Sequence, residues 1–109
     1  MHQTGERYYE AELYRLKGEL TLQSKSQWPK PEVEKESEKC FWKAIEIARR
    51  QSAKSWELRA VMSLSRLRQR QGKKEEARQM LAEIYGWFTE GFDTKDLQEA
   101  KELLEELNH

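Results

Sequence analysis

The chain has 109 residues, 37% of them charged, and a formal net charge of zero. This length suffices for one modest hydrophobic core, and the charge balance excludes the basic overall footprint typical of proteins that bind nucleic acid or anionic membranes. No apolar run approaches the roughly 20 residues of a membrane span, and residues 1–6 lack the apolar segment of a signal peptide. We therefore expect a cytoplasmic protein, and the single cysteine, Cys40, fits a reducing compartment.

The first predicted helix begins near Glu6 or Arg7 and runs to about Leu22. Its apolar residues recur at helical spacing: Ala11, Leu13, Tyr14, Leu16 and Leu20. Gly18 lies inside this helix. Because a mid-helix glycine costs about 1 kcal/mol relative to alanine, Gly18 predicts that the backbone of a second helix passes close by.

A connector with two prolines follows over residues 24–31, where we expect Trp28 to pack back on the first helix pair and Pro31 to open the next helix. The second predicted helix covers residues 32–51, with glutamates first and arginines last, as the helix dipole favours. Its predicted buried stripe is Phe41, Ala44, Ile45 and Ala48, flanked by Cys40, Trp42 and Ile47.

The third predicted helix covers about residues 56–71, with Ser55 as its N-cap and Gly72 ending it in a left-handed conformation. Its inward residues are Leu58, Val61, Leu64, Ser65 and Leu67. The fourth predicted helix runs from about residue 74 to 88 and ends before Gly91. It should bury Ala77, Met80, Leu81, Ile84 and Tyr85.

A last amphipathic helix, residues 94–107, is predicted to start at an N-cap on Asp93 or Thr94. Its apolar stripe comprises Leu97, Ala100, Leu103, Leu104 and Leu107. The opposite face is acidic and consists of Asp96, Glu99, Glu102, Glu105 and Glu106. This pattern indicates a solubilising cap at the end of a helical stack.

Together these elements predict an all-α fold, in which two antiparallel helical hairpins (about 6–51 and 55–90) and a capping helix stack as a right-handed α–α superhelix. The second hairpin resembles a tetratricopeptide repeat, the 34-residue helix-turn-helix unit. The residues that carry this resemblance are Val61, Leu64, Ser65, Gly72, Ala77, Leu81 and Ile84. In the first hairpin, Tyr14, Gly18, Phe41 and Ala44 fit the same pattern more loosely, with the connector as an insertion.

A closer resemblance is carried by four segments: residues 10–20 (EAELYRLKGEL), 40–50 (CFWKAIEIARR), 55–60 (SWELRA) and 84–94 (IYGWFTEGFDT). These segments look like the C-terminal region of large bacterial multidomain signalling ATPases. In such proteins a nucleotide-cyclase or transcription-regulator domain and an AAA-type ATPase precede tetratricopeptide-like repeats. The resemblance implies a non-catalytic interaction or regulatory tail that belongs to a larger protein, and it carries over no catalytic residue.

We expect this chain to have no catalytic activity, no cofactor and no metal. There is no phosphate-binding glycine motif, and the two histidines, His2 and His109, lie at the chain ends, where they supply neither a zinc site nor a nucleophile relay. Carboxylate pairs at helical spacing are interpreted as solvated faces. Three tryptophans (Trp42, Trp56 and Trp87) are interpreted as core packing, with a ligand cage as the alternative.

One charge pattern suggests a binding groove. Arg59, Arg66 and Arg70 share a face of the third helix, beside Met62 and Ser63, and the counterparts of these residues on the first helix are Glu12, Arg15 and Glu19. The hypothesis is a mildly basic groove for an acidic peptide or helix. The alternative is an ordinary solvated face.

Self-association is the second possibility, because the arginine-rich third helix and the acidic last helix differ in sign. Trp87, Phe88 and Phe92 are candidates for an exposed apolar patch, with packing beneath the last helix as the alternative. A structural element that dimerises or shields an adjacent ATPase domain therefore remains the alternative to a partner-binding module. In neither case do we expect nucleic acid or a membrane as the partner.

Overall fold

The computed structural model describes residues 3–23, 31–88 and 94–108. Within these ranges the chain forms five α-helices: α1 (Gln3–Gln23), α2 (Pro31–Arg50), α3 (Lys54–Arg70), α4 (Lys74–Tyr85) and α5 (Lys95–Leu107). The predicted all-α class is confirmed. None of the helices so described is both long enough and apolar enough to cross a membrane. Predictions for Trp28, Gly91, Phe92 and Asp93 lie outside the described residues.

Each helix packs on the next one along the chain, so that α1 with α2 and α3 with α4 form two hairpins. In addition, α1 packs on α3 and α3 packs on α5. The first helices of the hairpins and the last helix therefore form one continuous side of the molecule, called here the α1–α3–α5 face. Among the described residues, α2 and α4 do not pack on each other, and α3 fills the space between them.

Helix ends follow the predicted signals only in part. Pro31 opens α2 as predicted, and the Thr94 hydroxyl caps α5 by accepting a hydrogen bond from the backbone N–H of Leu97. The prediction for Ser55 was wrong, because α3 already begins at Lys54 and the N-cap residue is Ala53, which has no side-chain cap. α4 ends at Tyr85, short of the predicted residue 88.

The core consists mainly of the residues that the periodicity of α2 to α5 predicted. Its largest fully buried apolar side chains are Phe41, Ile45, Leu58, Leu64, Leu67 and Leu81. The predicted stripe of α5 is buried except for Leu104, which is half-buried, as are Met80 and Tyr85 of α4. These four helices therefore present the predicted faces to the core.

The apolar residues of α1 divide between two faces instead. Ala11 is buried and Tyr14 is half-buried, whereas Leu13, Leu16 and Leu20 are 59%, 42% and 62% exposed. The close crossing predicted at Gly18 is present, but the neighbour is the aromatic ring of Phe41 on α2 and not a helix backbone.

Two tight turns connect α2 to α3 and α3 to α4 with the same backbone geometry. Gly72 has the predicted left-handed conformation, with φ of 81°, and Ser52 has φ of 55° at the corresponding place in the earlier turn. In both turns the next residue donates a backbone hydrogen bond five residues back, from Ala53 to Ala48 (2.9 Å) and from Lys73 to Arg68 (2.8 Å). This is the pattern of a helix ended by one left-handed residue.

Candidate functional site

The predicted groove residues meet on the α1–α3–α5 face in one hydrogen-bonded network. Arg15 donates to the Glu12 carboxylate through Nε (2.9 Å) and Nη2 (2.6 Å), and through Nη1 to the Ser63 hydroxyl (3.3 Å). Ser63 in turn donates to Glu19 Oε2 at 2.7 Å. Because Ser63 lies on α3 and the other three residues lie on α1, this network joins the two hairpins.

Arg59 on α3 extends the network to α1 and to α5. Its Nη1 donates to Glu12 Oε2 (3.3 Å), and its Nε donates to Asp96 Oδ2 on α5 (3.1 Å). The guanidinium also lies 5.2 Å from the ring centroid of Trp56, within the range of a cation–π contact. Glu12 thus accepts from two guanidinium groups while its side chain is only 11% exposed.

The contacts of Arg15 also affect its titration. The hydrogen bond to Glu12, reinforced by the nearby negative charges of Glu12, Glu19 and Asp96, raises the pKa of Arg15 although burial opposes this shift. Arg15 and Arg59 are both already paired with acids of this chain. They are part of the structure that holds the helices together and are not free to receive a partner's carboxylates.

Arg66 and Arg70 differ from these two arginines. Both are exposed, and neither makes a hydrogen bond or an ion pair with another described residue. Met62 is buried and, together with Arg66, lines a small cavity of about 180 Å³. Of the predicted groove residues, Arg66 and Arg70 are thus the cations that remain available at the surface.

Acidic residues of α5 lie beside Arg66, which the sequence did not indicate. Glu99, Glu102 and Glu106 line an open cavity of about 330 Å³ together with Arg66. The groove therefore carries both signs of charge and is not uniformly basic. That it binds a partner stays a prediction.

A second cavity, of about 390 Å³, lies between α2 and α4 on the other side of α3. Trp42 and Trp87 line it and are 40% and 56% exposed, so the core-packing interpretation is wrong for these two residues. They line the gap between α2 and α4, two helices that do not pack closely on each other within the described ranges. Trp56 is half-buried against the Ile47 and Ala48 cluster, and Phe88 is half-buried against the main core.

A buried carboxylate lies in the wall of this second cavity. Glu57, only 3% exposed, accepts from Arg49 Nε at 2.8 Å and from Lys54 Nζ at 3.2 Å. The Lys54 ammonium also lies 5.3 Å from the ring centroid of Trp87. Both cations are thus engaged with Glu57, which ties the start of α3 to the end of α2 and satisfies the buried charge.

The remaining candidates for chemistry are few. Cys40 is free and buried, in agreement with its interpretation as a core or boundary residue. In the part of the chain that the structure describes, which excludes His2 and His109, there is no group of three or more histidine, cysteine, aspartate or glutamate side chains that could hold a metal ion.

Comparisons of the sequence and the structure with known proteins identified no relative. A scan against protein-family models found no matching family, and searches of curated proteins and of solved structures found no match. No residue role is therefore transferred from a relative, and the candidate sites rest on their own geometry.

Proposed function

We propose that this chain is a non-catalytic protein-interaction or regulatory module that binds a partner segment on its α1–α3–α5 face. The observation that carries this proposal is the contrast among the arginines of that face. Arg15 and Arg59 are ion-paired within the chain, whereas Arg66 and Arg70 are exposed and make no polar contact with other described residues. Exposed arginines beside a hydrogen-bonded network offer planar donors for carboxylates.

An acidic peptide or helix is the partner that suits these two arginines. Each guanidinium can form two parallel hydrogen bonds to a carboxylate, and the ordered network beside them limits the entropy lost on binding. The glutamates of α5 next to Arg66 repel an acidic segment from that side. The proposal therefore places the acidic segment along α3, towards α1 and away from α5.

Labelled decaglutamate and decalysine peptides, followed by fluorescence anisotropy at low ionic strength, provide the probes. The Arg66→Glu/Arg70→Glu variant should lose most of its affinity for decaglutamate and keep its melting temperature. The control is Lys43→Glu/Arg50→Glu, which makes the same charge change at two exposed positions of α2, a helix that lines neither of the two cavities of the groove. Equal losses in both variants, or no binding by the unchanged chain, would remove the groove from consideration.

We further propose, on the four sequence segments given above, that the module is the C-terminal region of a bacterial signalling ATPase of the nucleotide-cyclase type and lies in the cytoplasm. An antibody against the module should then detect a polypeptide far larger than 13.1 kDa in cells that produce it. A band near that mass would contradict this parent and leave an independent adaptor.

A structural element that dimerises or covers an adjacent ATPase domain is the second candidate. The observation that favours it is the exposure of Leu13, Leu16 and Leu20 on α1. It predicts a mass that rises with protein concentration, which sedimentation equilibrium measures without reference to the groove.

A further inference from the structure

Three exposed leucines form a stripe along α1. Leu13, Leu16 and Leu20 recur at intervals of three and four residues, so that they lie on one side of the helix, opposite the buried Ala11 and Leu22. Each of these leucines keeps between 42% and 62% of its surface in water, so it gains less from burial than the leucines of the core, which are at most 8% exposed. An apolar stripe of this kind indicates a contact surface.

A comparison of the two hairpins indicates which kind of helix would cover the stripe, because each residue of α1 can be matched with a residue of α3. Gly18 of α1 corresponds to Ser65 of α3, since each lies where its helix crosses its own hairpin partner. Gly18 faces Phe41 of α2, and Ser65 donates a hydrogen bond to the Ala77 carbonyl of α4 at 3.4 Å. In this register Glu12 corresponds to Arg59, 47 residues further on.

In the same register, Leu13, Leu16 and Leu20 correspond to three α3 residues that are at most 3% exposed: Ala60, Ser63 and Leu67. The first hairpin covers this side of α3. Ser63 is bonded to α1, and α2 reaches α3 through the pairs of Arg49 with Glu57 and Glu38 with Arg68. Lys17 departs from the pattern, because it stands where α3 has the buried Leu64.

The opposite end of the stack is closed. α5 turns its apolar stripe inward and exposes Lys101, Glu102, Glu105 and Glu106. A second copy stacked head to tail would place these charges on the leucines and lose their hydration without replacing it. The α5 surface is therefore a poor occupant of the stripe, whereas the apolar side of a second hairpin helix, such as that of α2, is a suitable one.

We propose that the stripe of Leu13, Leu16 and Leu20 is a stacking surface for the second helix of another helical hairpin, seated on α1 as α2 is seated on α3. This surface lies on a different side of α1 from Glu12, Arg15 and Glu19. The inference is therefore independent of partner binding in the groove, and either can fail alone.

The test extends the chain with a copy of its own first hairpin. Residues 3–53 are fused directly ahead of residue 7, which reproduces the spacing by which α2 leads into α3. The leucines of the second copy then face an added α2, while those of the first copy remain uncovered. The triple substitution Leu13→Gln/Leu16→Gln/Leu20→Gln is made in one copy at a time and in the unextended chain, and thermal unfolding is measured.

We expect the triple substitution in the second copy to lower the melting temperature by about 10 °C, because it places three polar side chains in a packed interface. The same substitution in the first copy or in the unextended chain should lower it by no more than about 2 °C, since exposed positions tolerate such changes. Equal effects in both copies would overturn the proposal. So would self-association of the unextended chain that the triple substitution abolishes, because the occupant would then be a second copy.

Discussion

The aromatic ring of Phe41 occupies the place that a side chain on Gly18 would need. A Cβ atom built on Gly18 would lie 2.6 Å from Cε1 and 2.9 Å from Cδ1 of Phe41, distances well inside van der Waals contact. Phe41 is fully buried in the core, so moving its ring aside would disturb the packing around it. The absence of a side chain at Gly18 thus sets how closely α1 and α2 approach.

Gly18→Ala should destabilise the protein although alanine is the better helix former. Overpacking against the Phe41 ring costs about 1–3 kcal/mol, which exceeds the gain of about 1 kcal/mol from helix propensity. Urea denaturation followed by circular dichroism measures the free energy of unfolding. Phe41→Leu provides the control, because a smaller side chain relieves the clash. Gly18→Ala should therefore be less harmful in that background, and an equal loss in both would contradict the packing argument.

Ser52 and Gly72 provide a matched pair of turn positions, since both have a left-handed backbone. A side chain in this conformation costs about 1 kcal/mol, while glycine adopts it without a steric penalty. Ser52→Gly should thus stabilise the protein by up to about 1 kcal/mol, and Gly72→Ser should destabilise it by a similar amount. The melting temperatures of the two variants should move in opposite directions. A shift in the same direction would show that side-chain contacts, not backbone strain, decide the effect.

Two glutamate–arginine pairs have the same sequence spacing, but replacing the glutamate by glutamine should change the stability of the protein differently in the two cases. Glu12 pairs with Arg15 and also with Arg59 on α3, whereas the partners of Glu75, Arg78 and Gln79, lie within its own helix on the surface of α4. Glu12→Gln should lower the free energy of unfolding by about 1–2 kcal/mol, because it weakens hydrogen bonds from two part-buried guanidinium groups. Glu75→Gln should leave the melting temperature unchanged within error. Equal effects would mean that the tertiary contact of Glu12 adds no stability.

The pair of Glu38 and Arg68 should make stability depend on pH. The hydrogen bond from Arg68 Nη2 (2.8 Å) lowers the pKa of the Glu38 carboxyl from its ordinary value of 4.5, although desolvation opposes the shift. A carboxyl with a lower pKa in the folded state stabilises the fold above its unfolded pKa. This stabilisation is lost as the pH falls through the folded pKa.

Glu38→Gln should accordingly be less stable than the unchanged chain near neutral pH, by about 1 kcal/mol. The difference should shrink as the pH falls below 4.5. Denaturation curves from about pH 7 to about pH 3 test this expectation. In an Arg68→Met background, where Glu38 has lost the hydrogen bond from Arg68, the same substitution should have a smaller effect that depends less on pH. A pH-independent loss would assign the effect to packing instead of charge.

The sequence predicted the positions of the helices better than it predicted which face of each helix is buried. The periodicity of α2 to α5 identified the buried residues because each of these helices has a single apolar face. α1 has two, and the more apolar one, with Leu13, Leu16 and Leu20, is exposed. The core face of α1 contains Ala11 and Gly18. These small residues allow the neighbouring helix to come close, and hydrophobic periodicity does not detect that property.

The site was predicted only as a set of residues. The spacing along α1 and α3 indicated that Glu12, Arg15, Ser63 and Arg59 share one side of the molecule. It did not show which acids neutralise Arg59, because those bonds join residues 47 and 37 positions apart. Asp96 and the glutamates of α5 were assigned to a solvated cap, and only the docking of α5 on α3 brings them beside the arginines. Ser52 carries no sequence signal for a left-handed turn.

The succession of helices, each resting on its predecessor, also governs how the chain folds. Most contacts join neighbours in sequence, so that native structure forms without closing a long loop, and such topologies fold fast. During synthesis the first hairpin can be complete while α5 is still inside the ribosome, since within the described ranges neither α1 nor α2 packs on α5. α3 packs on each of the other four described helices. Once α3 has been synthesised, it can therefore join the first hairpin to the rest of the fold in one cooperative unit.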